Sequence, residues 1–295
     1  MSCRCPDLAR RLARILLLAA IVAPGGANAA APVLTFLGAS DTPLENPHDL
    51  KLSADGRYLF VADVGNNRIA ILDPETLALI GEFGADHQSG THDIDFDTRA
   101  RAYVADTHNN RVLVYAIDGI KTRRISELGE RIRGPEGVLA HPNGRIYVAG
   151  AWSGNAVAYR DGKAVAELGG LSSPHDVELA ADGDVWLADA GNDRLLLLSE
   201  DLEIRRELGG SDYDFNGVRY LDLTPGGKIV AADKNNHVVK FIDADGKLVL
   251  TLGDGRPGRG ENRFTTPEGV EIGGSILYLS DSGNDRIVKY RMEWD

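Results

Sequence analysis

Three histidines stand at the same point of a recurring motif, each behind Pro or Thr and ahead of Asp: Pro47-His48-Asp49, Thr91-His92-Asp93 and Pro174-His175-Asp176. Three further copies of the motif carry Glu136, Asn216 and Glu268 at that point. Imidazole nitrogen and carboxylate oxygen are ligands for zinc, iron, copper or nickel, so a fold that gathers these positions around one axis creates a metal site. The same ring of polar groups also suits ordered water in a solvated channel. No Gly-x-Ser-x-Gly or comparable nucleophile motif occurs, and serine-type hydrolysis has no support. Both cysteines, Cys3 and Cys5, lie in the first residues, so the remainder of the chain offers no thiolate ligand or nucleophile.

The elements that position these residues are legible as a repeat. Six copies follow one plan: the opening motif, a Gly-containing turn, an apolar run ending in Ala-Asp, a Gly-Asn-Asn-Arg segment or a relative of it, a second apolar run, and a closing Leu-Gly or Phe-Gly. The terminal Asp recurs as Asp63, Asp106, Asp189, Asp233 and Asp281, with Gly150 in the third copy. A period of roughly 40 to 45 residues is that of four-stranded propeller blades. In the first copy, strands are predicted over 49–53, 58–62, 68–72 and 77–83, joined by Ala54-Asp55-Gly56 and similar turns. The fold class is therefore all-β, a six-bladed β-propeller of four-stranded antiparallel blades. The sixth copy lacks its fourth strand, and Pro32-Val33-Leu34-Thr35-Phe36-Leu37-Gly38 matches what is missing, so the N-terminal strand should close the last blade.

The segments Asp63-Val64-Gly65-Asn66-Asn67-Arg68, Asp189-Ala190-Gly191-Asn192-Asp193-Arg194 and Asp281-Ser282-Gly283-Asn284-Asp285-Arg286 resemble the NHL repeat family over essentially all of 30–295. The family includes enzymes, scaffolds and RNA binders on one frame, so the resemblance implies the fold and leaves function to the site. A charged pair present in five blades reads as a structural tie rather than as catalytic machinery. The His-Asp opening motifs are also similar to those of the peptidyl-amidating lyase type of NHL propeller, whose axial zinc is held by three such His. That resemblance implies zinc on His48, His92 and His175, a structural calcium at Asp176, and a metal acting as Lewis acid on a bound water or alcohol. The catalytic Tyr and Arg of those lyases have no counterpart here by motif. Blades one, two and four would set the three imidazoles at about 0°, 60° and 180° around a six-fold ring, with Glu136 or Glu268 closing the set.

Function is best sought where the copies diverge. Blade three replaces the Asp and Arg with Gly150-Ala151-Trp152-Ser153-Gly154-Asn155, which sets Trp152 either as an apolar platform beside the polar ring or against the neighbouring blade. Asn216 is the polar variant of the ring position in blade five. Arg256, Arg259 and Arg263, in the long connection before blade six, form a basic cluster where a carboxylate-bearing ligand could dock, or a solvated loop. The glycine-rich run 253–260 that contains them is followed by no helix and fails the context test for a phosphate loop.

Residues 1–29 read as a cleaved secretory signal peptide: Arg4, Arg10, Arg11 and Arg14, an apolar stretch from Ile15 to Ala23, then Ala27-Asn28-Ala29. A periplasmic or secreted location follows. The formal charge is −12, and loss of the leader would leave about −15, which repels phosphate backbones and argues against nucleic acid. No other segment is apolar enough to span a membrane. The sequence thus points to an exported monomeric propeller binding a small molecule or a protein partner at its channel-mouth face. Its alternatives are a metal-dependent lyase or hydrolase, with zinc or calcium as cofactor, and a pure protein-interaction scaffold.

Overall fold

The computed structural model describes residues 30–294; the signal-peptide reading of 1–29 lies outside the described residues. Six four-stranded antiparallel sheets form the ring, as the repeat predicts. Blade one runs from its innermost to its outermost strand through Pro47–Leu52, Leu59–Asp63, Arg68–Leu72 and Leu79–Phe83. The two middle strands of a blade are covered on both faces by neighbouring blades, so they read as unbroken apolar runs such as Leu59-Phe60-Val61-Ala62. The outermost strands have one face in water and alternate, as Lys163–Gly169 does. The core is correspondingly divided among blade interfaces: Phe60, Ile69 and Ile71 of blade one interlock with Ile94, Val104 and Leu113 of blade two.

Closure is by the N-terminal strand. Val33–Ala39 pairs antiparallel with Arg286–Glu293, aligning Phe36 with Tyr290, and these two rings meet edge to face at 5.8 Å. The last blade is thereby built from both ends of the described chain.

Each repeated Asp is fully buried and performs one task. Asp63 accepts hydrogen bonds from the Glu45 backbone N–H at 2.7 Å, from Asn66 Nδ2 at 2.9 Å and from Arg68 Nε at 2.7 Å. The left-handed residue after that turn then reaches the next blade: Asn67 Oδ1 accepts from Gly90 N–H at 2.7 Å. The set recurs around the ring, and Asp285 Oδ1 accepting from Asn46 N–H at 2.8 Å ties blade six back to blade one. Blade five, which lacks the Arg, substitutes Lys240, whose ammonium lies 2.6 Å from Asp233. Blade three substitutes Asn155, held by Ser153 Oγ at 2.6 Å and donating to the Arg131 carbonyl at 2.9 Å. The structural reading of the repeated charges holds.

Deletion of residues 30–40 is expected to expose the Arg286–Glu293 edge and the apolar surface of the last blade, Tyr290 included, that Leu34 and Phe36 cover. The loss is on the order of 3 kcal/mol, read as a melting temperature lowered by several degrees; an unchanged melt would show that the strand does not close the ring.

Candidate binding site at the channel mouth

The innermost strands carry a bulge just inside the mouth. In blade one Pro47 pairs with Asp63, but the next paired residue is Leu50 with Val61, and the two intervening residues, His48 and Asp49, are freed from the ladder. The same bulge frees His92 and Asp93 in blade two. In blade five the pairs are Val218 with Asp233 and Leu221 with Ala231, so the freed residues are Arg219 and Tyr220. Asn216 therefore does not hold the ring position in blade five. It is exposed on the rim, where its side-chain oxygen accepts from Asn235 Nδ2 at 3.2 Å. Phe215-Asn216-Gly217 imitates the opening motif three residues too early. The signal that finds the true register is spacing: Val218 stands fifteen residues before Asp233, as Thr91 does before Asp106 and Pro174 before Asp189. The mouth ring is thus His48, His92, Glu136, His175, Arg219 and Glu268.

Glu136 is the hub of one side. His92 Nε2 lies 3.4 Å and His175 Nε2 3.3 Å from its Oε2, an atom with no hydrogen-bond partner. Both imidazoles are pinned through Nδ1 to a backbone carbonyl two residues earlier, that of Gly90 at 2.8 Å and that of Ser173 at 2.7 Å. Those bonds assign the proton to Nδ1 and turn Nε2 inward, the orientation used by metal-ligating histidines; His175 Nε2 is engaged there as acceptor from Arg219 Nη1. Ligand atoms of His48, His92 and Glu136 all lie within 4.8 Å of one another. His48 packs edge-on to His92 at 4.5 Å, and its buried Nδ1 has no partner. Burial lowers the basicity of all three imidazoles, to about 4 for His92 and about 3 for His175, and raises Glu136 to about 8. Neutral imidazoles are what a metal requires. Glu268 is turned the other way, toward cations: it pairs with Lys234, and Arg219 Nε lies 3.6 Å from its Oε2.

Tyr220 plugs the channel beneath the ring. Fully buried, it donates its hydroxyl toward the His92 and Glu136 carbonyls, each at 3.3 Å. Below it lies an acidic tier: Asp49, Asp93, Asp95, Asp176, Glu178, Asp222 and Glu271 around the single cation Lys51, which meets Glu178 at 2.8 Å. These carboxylates cap backbone N–H groups of the next blade, Asp93 to Val138, Asp176 to Leu221 and Glu271 to Leu52. Asp176, the calcium candidate, thus sits apart from the mouth ring with one oxygen already engaged.

On the rim, the residue two before each ring position adopts a left-handed backbone: Asn46, Gly90, Gly134, Ser173, Gly217 and Thr266. Where the rim residue is Gly90 or Gly134, the turn sets His108 or Trp152 over it, and an added Cβ would collide with that ring. In blades four and six the turn itself carries the glycine, Gly191 against Ser172 and Gly283 against Thr265 and Thr266. Trp152 stacks on His108 of blade two at 5.8 Å and 18°, yet remains 52% exposed, so it is both packed on a neighbour and open on the mouth face. His108 in turn lies 6.3 Å from His92, which makes a continuous arc of rings from solvent to the axis. Arg256 and Arg259 are exposed in the loop before blade six, where Arg259 donates to the Asn284 carbonyl at 3.1 Å, and Arg263 pairs with Asp254; none is brought to the ring.

Six closed blades with buried Asp–Asn–Arg turns define an NHL-type six-bladed β-propeller. No protein-family model matches the chain. NHL repeat-containing protein 2 of Homo sapiens is 31% identical over 71 residues, which are 22% of this chain and 10% of that protein, so the likeness spans a tenth of the relative's length. Among solved structures, the auxiliary nutrient binding protein from Bacteroides ovatus is similar at a TM-score of 0.70 and 15% identity, over 90% of this chain and 77% of that one. Virginiamycin B lyase from Staphylococcus aureus is similar at 0.63 and 13%, over 88% and 99%. At such identities the likeness establishes the fold alone.

The acidic tier sets a pH dependence. Burial raises Asp95 from an ordinary 3.8 to about 7, and Asp93 and Asp222 to about 6, so the folded chain binds protons that the unfolded chain releases. Their stabilising contribution is complete below pH 4 and lost as pH rises through 6 to 7. The three imidazoles, lowered by burial, act in the opposite sense, losing their contribution as pH falls below 6.5. Between pH 8 and 6.5 the carboxyls dominate. The melting temperature should therefore rise as pH is lowered across that interval, and Asp95→Asn should flatten the rise; an equal slope in the variant would refute the assignment.

Proposed function

We propose that this protein is an exported propeller that binds a small molecule at its channel-mouth face through one divalent transition metal, zinc by preference. The reading rests on one observation: the buried His92 imidazole, pinned by Nδ1 to the Gly90 carbonyl, directs its Nε2 at a Glu136 oxygen that has no hydrogen-bond partner, with His48 in the same compact group. The residues present fit such an ion. His92 and Glu136 would hold it together with His48 or His175, since His48 completes the compact group and His175 meets the same carboxylate from the other side. Without an ion, a proton on Glu136 shared with one imidazole satisfies the same geometry, so proton and metal compete for it. When bound, the metal supplies Lewis acidity toward an oxygen of the ligand. Burial of the ring and the Tyr220 plug restrict access to the mouth side, where Trp152 offers an open aromatic surface. The leader-like residues 1–29 support exposure to the periplasm or the medium.

A lyase or hydrolase acting on the bound molecule is the second reading, favoured by the metal-ligand set and consistent with the fold shared by virginiamycin B lyase. Elemental analysis of protein purified without a metal-binding tag tests both. About one equivalent of transition metal is expected, and His92→Ala or Glu136→Ala should weaken its binding at least ten-fold. Metal-free protein that also fails to take up added zinc would remove the basis of both readings.

A further inference from the structure

We propose that Arg219 and Lys234 form a carboxylate subsite beside the metal position, and that the ligand is a small polar carboxylic acid lodged in the cavity between the blade-four and blade-five turns. This deepens the metal reading above and rests on it.

The first argument is position. Arg219 occupies the ring place that the other five blades give to His or Glu, and its guanidinium donates through Nη1 to His175 Nε2 and faces Glu268 on its other side. Its Nε–H is buried and makes no hydrogen bond, 3.6 Å from Glu268 Oε2. A guanidinium presents donors in a planar fork suited to bidentate carboxylates, and here part of that fork is unspent. Lys234, from the adjoining turn, brings a second cation to the same carboxylate.

The second argument is charge. The mouth holds two cations, Arg219 and Lys234, against two carboxylates, Glu136 and Glu268. A divalent ion held by Glu136 adds positive charge to that set, which favours an anion entering with it.

The third argument is space. A cavity of about 260 Å³ opens directly over Arg219, lined by Ser173, Gly191, Asn216, Gly217 and Asn235. It exists because the blade-four turn has glycine where blades two and three carry His108 and Trp152. Amide and hydroxyl groups line it together with Ala190 and the Asp193 carboxylate, one oxygen of which is taken by the Gly217 N–H, so it suits a hydrogen-bonding body of a few heavy atoms rather than an apolar chain. Asn216, placed here by the register rather than in the ring, thus becomes a wall of the ligand cavity.

Binding of lactate, with lactamide as its uncharged counterpart, tests the proposal by titration of zinc-loaded and metal-free protein. Lactate is expected to bind the zinc-loaded form at least ten-fold tighter than lactamide does, and at least ten-fold tighter than it binds the metal-free form. Arg219→Gln should abolish the preference for lactate while retaining one equivalent of zinc. Equal binding of the two compounds by the wild-type protein overturns the subsite whatever the variant's folding. So does full lactate affinity in a folded Arg219→Gln protein. If the wild type takes up no zinc yet binds lactate in preference to lactamide, and Arg219→Gln loses this, the anion subsite stands and the metal reading falls.

Discussion

Everything at the channel mouth depends on a buried aspartate at the end of the second strand in five of the six blades. A carboxylate removed from water is tolerable only when its lone pairs are filled, and Asp63, Asp106, Asp189, Asp233 and Asp281 fill theirs with a backbone N–H from their own blade's opening, an Asn amide and a cation. The left-handed residue that follows hands the tie to the next blade. Blade openings are therefore fixed in height and direction relative to their neighbours. Side chains freed by the bulge immediately afterwards can converge within a few ångströms only because that frame does not move.

The frame is nearly symmetric, and its chemistry is not. A bulge in five blades and the opening of blade four deliver three imidazoles, two carboxylates and one guanidinium, and the asymmetry separates a metal-ligand side around Glu136 from a cationic side around Glu268. The residue one step deeper differs as sharply: aspartates in blades one, two and four, glycines in three and six, and Tyr220 in five. The glycines are required by crowding, since a Cβ on Gly137 or Gly269 would strike the backbone of a neighbouring blade. Tyr220 then seals the axis, leaving the mouth polar and shallow while the acidic tier is held around Lys51.

The rim shows how one steric rule generates a functional surface. Rim and turn backbones approach too closely for a side chain on both, so glycine falls on one side or the other: on the rim under His108 and Trp152, in the turn at Gly191 against Ser172 and at Gly283 against Thr265 and Thr266. Sectors with a bare turn are open, and sectors with a bare rim carry a ring laid flat. The cavity over Arg219 and the aromatic arc through Trp152 are the two results of that choice.

Much of this was legible in the chain. Period, turn residues and the missing fourth strand determined the blade count, the antiparallel order and the closure by Val33–Ala39, because these follow from local propensity and from the need to pair an edge. The clustering of His48, His92 and Glu136 was legible too, since a repeat carries equivalent positions to equivalent places. Motif resemblance failed in blade five, where Asn216 imitates a ring residue and Arg219 is one; the ladder register, set by pairing with Asp233 and Ala231, decided the matter. Only the tertiary structure gave Lys240 the missing arginine's task, turned Glu268 toward Lys234 and Arg219, and set Tyr220 across the axis. Those outcomes depend on which long side chains reach one another within and between blades, and packing rather than local pattern decides that.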